Sequence, residues 1–206
     1  RLDWKLFGKT DRYYIREYEE ETNLRATILL DMSGSMTYGG ENGVTKHHYA
    51  TRLAACLSYL MMQQRDSVGL VTFDTAIRRF IPQCSGVGHL RVMLDELEQC
   101  QPAGETELAD VFRSLVPRIH RRGLLIIISD CFATVKDLIT ALAHFRAARH
   151  EIILFQIMDR DELEFPFQSW TRFESLEQAD WHRMVEPAQF REAYLENLEK
   201  FQKELV

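Results

Sequence analysis

Three short polar stretches in this chain carry oxygen donors of the kind that bind hard metal ions. The sharpest is Asp31-Met-Ser33-Gly-Ser35, which directly follows an apolar run. Thr106 lies in the loop Pro102-Ala-Gly-Glu-Thr106, just before a helical pattern, and Asp130 ends the string Ile-Ile-Ile-Ser-Asp. Two carboxylates balance a divalent charge, and three hydroxyls add coordination without adding charge. The set suits Mg²⁺, with Mn²⁺ or Ca²⁺ as alternatives, and offers no soft ligand for zinc or copper.

Each stretch also has an ordinary structural interpretation. An Asp-x-Ser-x-Ser string after a strand can serve only as a helix cap or a turn, because Asp and Ser side chains satisfy free N–H groups. Thr106 alone suits an N-cap, and Asp130 alone suits the start of a loop. The metal-site interpretation is favoured because all three stretches come at strand or helix ends, where open α/β sheets bind their ligands.

The elements that must position these residues are indicated by apolar runs separated by helical patterns. Four almost continuously hydrophobic runs predict parallel strands covered on both faces: Ala26–Leu30, Val68–Phe73, Leu124–Ile128 and Ile152–Met158. Ile77–Ile81 follows the second run too soon for a helical crossover, so we expect an antiparallel edge strand there. The predicted fold is α/β: a single open, mostly parallel, Rossmann-like sheet with helices on both faces and one antiparallel edge strand.

The helices are expected to dock through apolar faces with helical spacing. The predicted faces are Tyr49, Leu53, Cys56, Leu57 and Leu60; Leu90, Leu94 and Leu97; Leu108, Val111, Phe112, Leu115 and Ile119; and Leu138, Leu142 and Phe145. Thr171–Leu176 and His182–Val185 predict a late strand and its hairpin partner. A closing helix begins near Pro187. We interpret its apolar stripe as a docked core face rather than a partner-binding face; the stripe is Phe190, Tyr194, Leu198, Phe201 and Leu205.

Length and composition are those of one globular domain, with 206 residues of which 46% are hydrophobic and 27% charged. The net charge of −6 argues against a binder of nucleic acid or of an anionic membrane. The four cysteines show no CxxC spacing, so we expect free thiols in a reducing, cytoplasmic location, with Cys56 and Cys131 as small core residues. No run approaches the roughly 18 apolar residues of a membrane span. Because the first residue is Arg rather than Met, an upstream segment with an anchor stays an open alternative.

The order of these donors resembles the metal-ion-dependent adhesion site of von Willebrand factor A domains. The resemblance spans about Arg25 to Met158 and implies the fold of that family. In the family, the two serines and the threonine bind the ion directly, and the aspartates bind directly or through water. Carried over to this chain, the ligand positions are Asp31, Ser33, Ser35, Thr106 and Asp130. Glu105 departs from the family, which often has a second Gly before the Thr, but it removes no donor.

A second resemblance concerns the residues before the first strand. Leu2-Asp3-Trp4-Lys5 and the basic-aromatic and acidic stretch Arg12–Glu21 are similar to the domain of unknown function 58 family. Genes of that family often lie beside those of MoxR-type AAA+ ATPases, which implies an adaptor role in complex assembly. We therefore expect an extended N-terminal segment, residues 1–24, packed on a von Willebrand factor A-like domain with a C-terminal helix, residues 25–206.

The leading functional hypothesis is a non-enzymatic binding module. In it the bound ion captures an acidic side chain of a partner protein, because no general base or nucleophile accompanies the donors. The alternative is a metal-dependent phosphohydrolase that uses the strand-end aspartates. Such phosphatases carry a second Asp two residues after the nucleophile, whereas this chain has Ser33 there and no obvious Lys or Arg phosphate clamp. A third hypothesis is a structural domain whose site is empty or holds a permanent ion.

Overall fold

The computed structural model describes residues 23–40, 43–105, 107–119, 121–177 and 181–205. Thr106 and residues 1–22 lie outside the described residues. The division of the chain near residue 24, and the packing of the N-terminal segment on the domain, therefore stay predictions. No helix in the described ranges is both long enough and apolar enough to span a membrane.

Five strands form one open sheet in the order β3-β2-β1-β4-β5. Their bounds are β1 Arg25–Asp31, β2 Ser67–Phe73, β3 Ile77–Cys84, β4 Leu124–Ser129 and β5 Glu151–Gln156. β1 is parallel to β2 and β4, and β4 is parallel to β5, whereas β3 is antiparallel to β2. The predicted mostly parallel sheet with an antiparallel edge strand is confirmed. Strand order reverses between β1 and β4, which is where such sheets bind ligands.

Helices cover both faces of this sheet. They are α1 Lys46–Gln63, α2 Val87–Gln99, α3 Leu108–Leu115, α4 Val135–Ala147, α5 Arg160–Glu164 and α6 Arg191–Leu205. One core lies between the sheet and α1 and α2, and a second lies between the sheet and α3 and α4. In the second core Phe112 packs edge-to-face on Phe73 and Phe145, with ring centroids 5.8 and 5.6 Å away.

The face through which α1 packs differs from the prediction. Tyr49, Cys56 and Leu60 are exposed, so the expected core role of Cys56 is wrong. The buried face is instead made of Lys46, Ala50, Ala54, Ser58 and Met61, together with Thr51. Small side chains let the helix lie close to the sheet, and the larger Leu53 and Leu57 pack partly buried beside them.

The other predicted helix faces agree better with the structure. All five apolar residues predicted for α3 and its following turn are buried, as are Leu138 and Phe145 of α4. In α2, Leu97 is buried, but Met93 takes the core position and Leu94 is exposed. The four cysteines are free, and Cys131 is buried as expected.

The last elements follow the prediction in outline. β5 is only half-buried, with Ile153 exposed, because it forms the edge of the sheet. The late hairpin pairs β6 Thr171–Glu174 with β7 His182–Val185 as a separate antiparallel sheet. A 3₁₀ turn at Pro187–Gln189 precedes α6, whose Phe201 and Leu205 pack on the second core. At the start of the predicted stripe, Phe190 is exposed.

Candidate metal-binding site

Two of the predicted donors lie at the switch point of the sheet. β1 and β4 are neighbours in parallel register, with Leu30 opposite Ile128, so Asp31 and Asp130 emerge at the same edge. Both aspartates are fully buried. Ser129, the last residue of β4, donates a hydrogen bond from Oγ to Asp31 Oδ2 at 2.6 Å and thereby joins the two strand ends. The two carboxylates that the sequence predicts to converge are brought to one crevice.

Ser33 and Ser35 stand beside these carboxylates on a short loop. Asp31 Oδ1 accepts a hydrogen bond from the backbone N–H of Ser33 at 2.9 Å, which turns the chain back over the strand end. The hydroxyls of Ser33 and Ser35 are 3.0 Å apart. Ser33 occupies the N-cap of the 3₁₀ helix Gly34–Thr37, but its side chain makes no capping bond. The capping interpretation therefore does not account for the Ser33 hydroxyl.

The loop that leads to Thr106 packs against the Asp31–Ser35 loop. Gly34 N donates to Gly104 O at 2.8 Å, and Ala103 N donates to Met32 O at 2.9 Å. Thr106 itself lies outside the described residues, so its place as the fifth donor stays a prediction. Gly34 is required at this crossing, because a Cβ there would lie 2.2 Å from the backbone oxygen of Leu176.

A tight turn holds Asp130. Its Oδ1 accepts from the backbone N–H of Phe132 at 3.3 Å, and Ser129 Oγ accepts from the backbone N–H of Cys131 at 2.9 Å. Cys131 adopts a left-handed conformation with φ 61°, which costs a non-glycine residue free energy. Such outliers are common where a backbone must aim functional side chains.

The electrostatics of the crevice favour a bound cation. The pKa of Asp31 is raised to about 6, first by burial and next by the negative charge of Asp130, against the lowering effect of hydrogen bonds from Ser129 and Ser33. A divalent ion would relieve this repulsion, and hard oxygen donors suit Mg²⁺. The described part of the chain contains no group of three or more His, Cys, Asp or Glu side chains able to hold a metal. An ion here would therefore depend on the hydroxyls as well as the two carboxylates.

The sequence prediction missed Lys46, a charged residue of this crevice. Its Nζ donates to Asp130 Oδ2 at 2.9 Å and to Glu162 Oε1 at 2.7 Å, and it lies 4.8 Å from the centroid of the Phe132 ring. The Lys46 residue is only 3% exposed. The local sequence indicates the burial of Lys46 only through spacing. Lys46 lies four and eight residues before Ala50 and Ala54, and therefore on the same buried face of α1.

The short helix α5, also absent from the prediction, borders the same crevice. Asp159 caps it, and Glu162 Oε2 accepts from the backbone N–H of Asp159 at 2.7 Å, which completes a capping box. The loop after the 3₁₀ helix is bound to α5 through Tyr38, whose hydroxyl donates to Asp161 Oδ2 at 3.0 Å. Burial and this bond to Asp161 raise the pKa of Tyr38.

An aromatic cleft of about 970 Å³ borders α5 at Asp161 and Glu162. Phe132 and Glu162 line both this cleft and the smaller one that contains Ser35. The other aromatic residues that line the larger, 970 Å³ cleft include Phe165, Phe167, Trp170, Phe173, Trp181 and Tyr194. An exposed apolar surface thus lies next to the candidate ion site.

Comparison with known proteins identifies the family. Residues 1–204 match the family described as "Protein of unknown function DUF58". The chain belongs to that family. A curated relative, the uncharacterized protein Rv1480 of Mycobacterium tuberculosis (strain ATCC 25618 / H37Rv), is 27% identical over 169 residues. The alignment covers 81% of this chain and 52% of the relative, so the chain spans about half the length of the curated relatives it matches.

Two solved structures share the fold of this DUF58 chain. An aerotolerance-related membrane protein from Bacteroides fragilis NCTC 9343, with multiple mutations to serines, aligns over 87% of both chains with a TM-score of 0.55 and 16% identity. The conserved hypothetical protein BatB from Bacteroides thetaiotaomicron aligns over 86% of both chains with a TM-score of 0.50 and 15% identity. At these identities the similarity shows the fold alone. The von Willebrand factor A-like fold predicted from the sequence is confirmed.

Proposed function

We propose that this DUF58 domain is a metal-dependent protein-binding module. A divalent ion, for which Mg²⁺ is the first candidate, captures an acidic side chain of a partner protein at the crevice. The ligands of the ion are Asp31, Ser33, Ser35, Thr106 and Asp130. The observation that carries the proposal is the pair of fully buried carboxylates at the switch point of the sheet. Beside them lies the Ser33 hydroxyl, which makes no helix-capping hydrogen bond.

The number of donors supports capture through the ion. Mg²⁺ requires near-octahedral coordination, and the chain offers five donor side chains, so at least one position is left for water or an acidic group. Both oxygens of Asp31 already accept a hydrogen bond, from Ser33 N and Ser129 Oγ. This aspartate is therefore suited to holding the ion through water as well as directly. A bound ion would supply electrostatic attraction for a carboxylate.

The chemistry of the crevice supports binding rather than catalysis. A phosphohydrolase of the aspartyl type needs a second carboxylate two residues after the nucleophile, and Ser33 occupies that position. Lys46 does not offer its charge to a phosphate, because it is buried between Asp130 and Glu162. The von Willebrand factor A-like fold of a family of unknown function also suggests an interaction module rather than an enzyme.

We infer that the partner is a MoxR-type AAA+ ATPase, or a protein assembled with one. The support for this inference is membership in DUF58 and the gene neighbourhood implied by the family resemblance. The acidic group that the ion would capture belongs to that partner, and the domain would act as an adaptor in complex assembly.

Affinity capture with the purified domain tests the proposal. Wild type, Ser33→Ala and Ser58→Ala are immobilised and offered a purified MoxR-type ATPase, with Mg²⁺ or with excess EDTA. Ser58 is a matched control, because it is fully buried like Ser33 but bonds to Ala54 O within α1. We expect capture by wild type and Ser58→Ala in Mg²⁺ only, and none by Ser33→Ala. Equal capture by all three proteins, or capture that survives EDTA, contradicts metal dependence.

A further inference from the structure

Lys46 is held in an unusual position for a lysine. It is the first residue of α1, where a long cationic side chain usually reaches solvent. Instead, the Lys46 side chain is 2% exposed and its Nζ contacts the fully buried Asp130 side chain and the Glu162 side chain, which is 15% exposed. Two carboxylates therefore share one cation, and one of them is a proposed ligand of the ion.

We infer that Lys46 is a positioning residue whose charge sets the affinity of the crevice for a divalent ion. The inference rests on the proposed metal-binding function. Lys46 Nζ lies 2.9 Å from Asp130 Oδ2, so that oxygen already faces a positive charge, while Oδ1 accepts the longer 3.3 Å bond from the backbone N–H of Phe132. A fixed cation beside a ligand repels a second cation in a site that water does not screen. Lys46 therefore keeps the ion weakly held and the bound ion attractive to an added carboxylate.

Neither carboxylate partner is free to release Lys46. Glu162 Oε2 is bound to the backbone N–H of Asp159 in the capping box, while Oε1 accepts from Lys46. Asp130 Oδ1 is bound to the backbone N–H of Phe132, whose ring also covers the ammonium group. The lysine charge is thus built into the crevice at a fixed place, and Glu162 offsets part of it.

A purely structural ion pair and an affinity-setting charge predict different results. If Lys46 only holds α1 and α5 in place, removal of either Lys46 or Glu162 disturbs the crevice and weakens ion binding in both cases. If its charge sets affinity, the two removals act in opposite directions. Loss of Lys46 makes the crevice more negative and strengthens ion binding, whereas loss of Glu162 leaves the lysine charge less compensated and weakens it.

The test is a Mn²⁺ titration of the full 206-residue chain, followed by the electron paramagnetic resonance signal of free Mn²⁺. The variants are Lys46→Met, which keeps side-chain length, and Glu162→Gln. Lys200→Met, at an exposed position on α6, is the control for the same change in net charge. We expect Lys46→Met to bind Mn²⁺ about tenfold more tightly than wild type, Glu162→Gln to bind it several-fold more weakly, and Lys200→Met to match wild type.

The outcomes separate this inference from the proposed function. Mn²⁺ binding by wild type with equal or weaker binding by folded Lys46→Met overturns the role of Lys46 alone. Binding by Glu162→Gln that equals or exceeds that of wild type overturns it too, and this holds even if Lys46→Met does not fold. Absence of Mn²⁺ binding by both wild type and folded Lys46→Met overturns both proposals.

Discussion

Asp31 ends β1 and Asp130 directly follows the neighbouring parallel strand β4, and both are fully buried at the point where the strand order of the sheet reverses. Burial and the charge of Asp130 raise the pKa of Asp31 to about 6. Lys46 already compensates Asp130, so Asp31 is the carboxylate that is costly to keep ionised without an added cation. This relationship links the fold to the proposed function, because the same unfavourable arrangement becomes favourable when an ion is bound.

Asp31→Asn is expected to stabilise the metal-free protein near neutral pH. The folded-state pKa of about 6 lies above the unfolded value of about 3.9, so the folded state binds the Asp31 proton more tightly between these limits. The stabilising contribution of the protonated group is complete below pH ~4 and is lost as pH rises through ~6. The neutral amide avoids this loss, so urea unfolding in EDTA at pH 7 should show Asp31→Asn more stable by about 1–3 kcal/mol.

Magnesium supplies the control for that prediction. Mg²⁺ should raise the unfolding free energy of wild type and leave that of Asp31→Asn nearly unchanged, since a ligand stabilises only the protein that binds it. If Asp31→Asn were less stable than wild type at pH 7 in EDTA, the cost of keeping Asp31 buried and ionised beside Asp130 would not be the dominant effect at this position.

Gly34→Ala is expected to damage the candidate site through the backbone. The added Cβ would lie 2.2 Å from Leu176 O and 3.1 Å from Gly104 O, so one of the two loops must move. We expect a loss of about 1–3 kcal/mol in unfolding free energy and a weaker affinity for Mn²⁺. Gly88→Ala is the matched control, because a Cβ there meets nothing within 4 Å and the residue lies in α2. It should be neutral or slightly stabilising, and equal effects of the two substitutions would contradict the proposed crowding.

The phosphohydrolase alternative predicts turnover of a simple phosphoester. With Mg²⁺ and p-nitrophenyl phosphate, we expect wild type to release product no faster than Asp31→Asn. The physical reason is that Ser33 replaces the second carboxylate and the buried Lys46 cannot contact a phosphate. Robust Mg²⁺-dependent hydrolysis that disappears in Asp31→Asn would favour the enzyme over the binding module.

Much of the fold could be predicted because the strands β1, β2 and β4 are apolar along nearly their whole length. That pattern identifies parallel strands covered on both faces, and the carboxyl ends of neighbouring parallel strands meet at one edge. The convergence of Asp31 and Asp130 followed from this rule. The face of α1 did not, since the large apolar residues Leu53 and Leu57 dominate its sequence pattern while the small Ala50 and Ala54 are buried.

The role of Lys46 could not be predicted from local sequence. Its partners Asp130 and Glu162 are 84 and 116 residues away along the chain. A lysine near the start of a helix is normally exposed, and only the three-dimensional packing of α5 beside the crevice explains its burial. The role of Glu162 could not be predicted either, because α5 is too short to show helical periodicity.

Calorimetric titration of Mg²⁺ into the metal-stripped domain tests the central claim most directly. We predict that wild type and Ser58→Ala bind about one ion per chain with the same affinity, and that Ser33→Ala binds it about tenfold more weakly or not at all. All three proteins should show the same unfolding behaviour in EDTA to within about 1 kcal/mol. Absence of Mg²⁺ and Mn²⁺ binding by wild type, or identical binding by Ser33→Ala and wild type, would contradict the account.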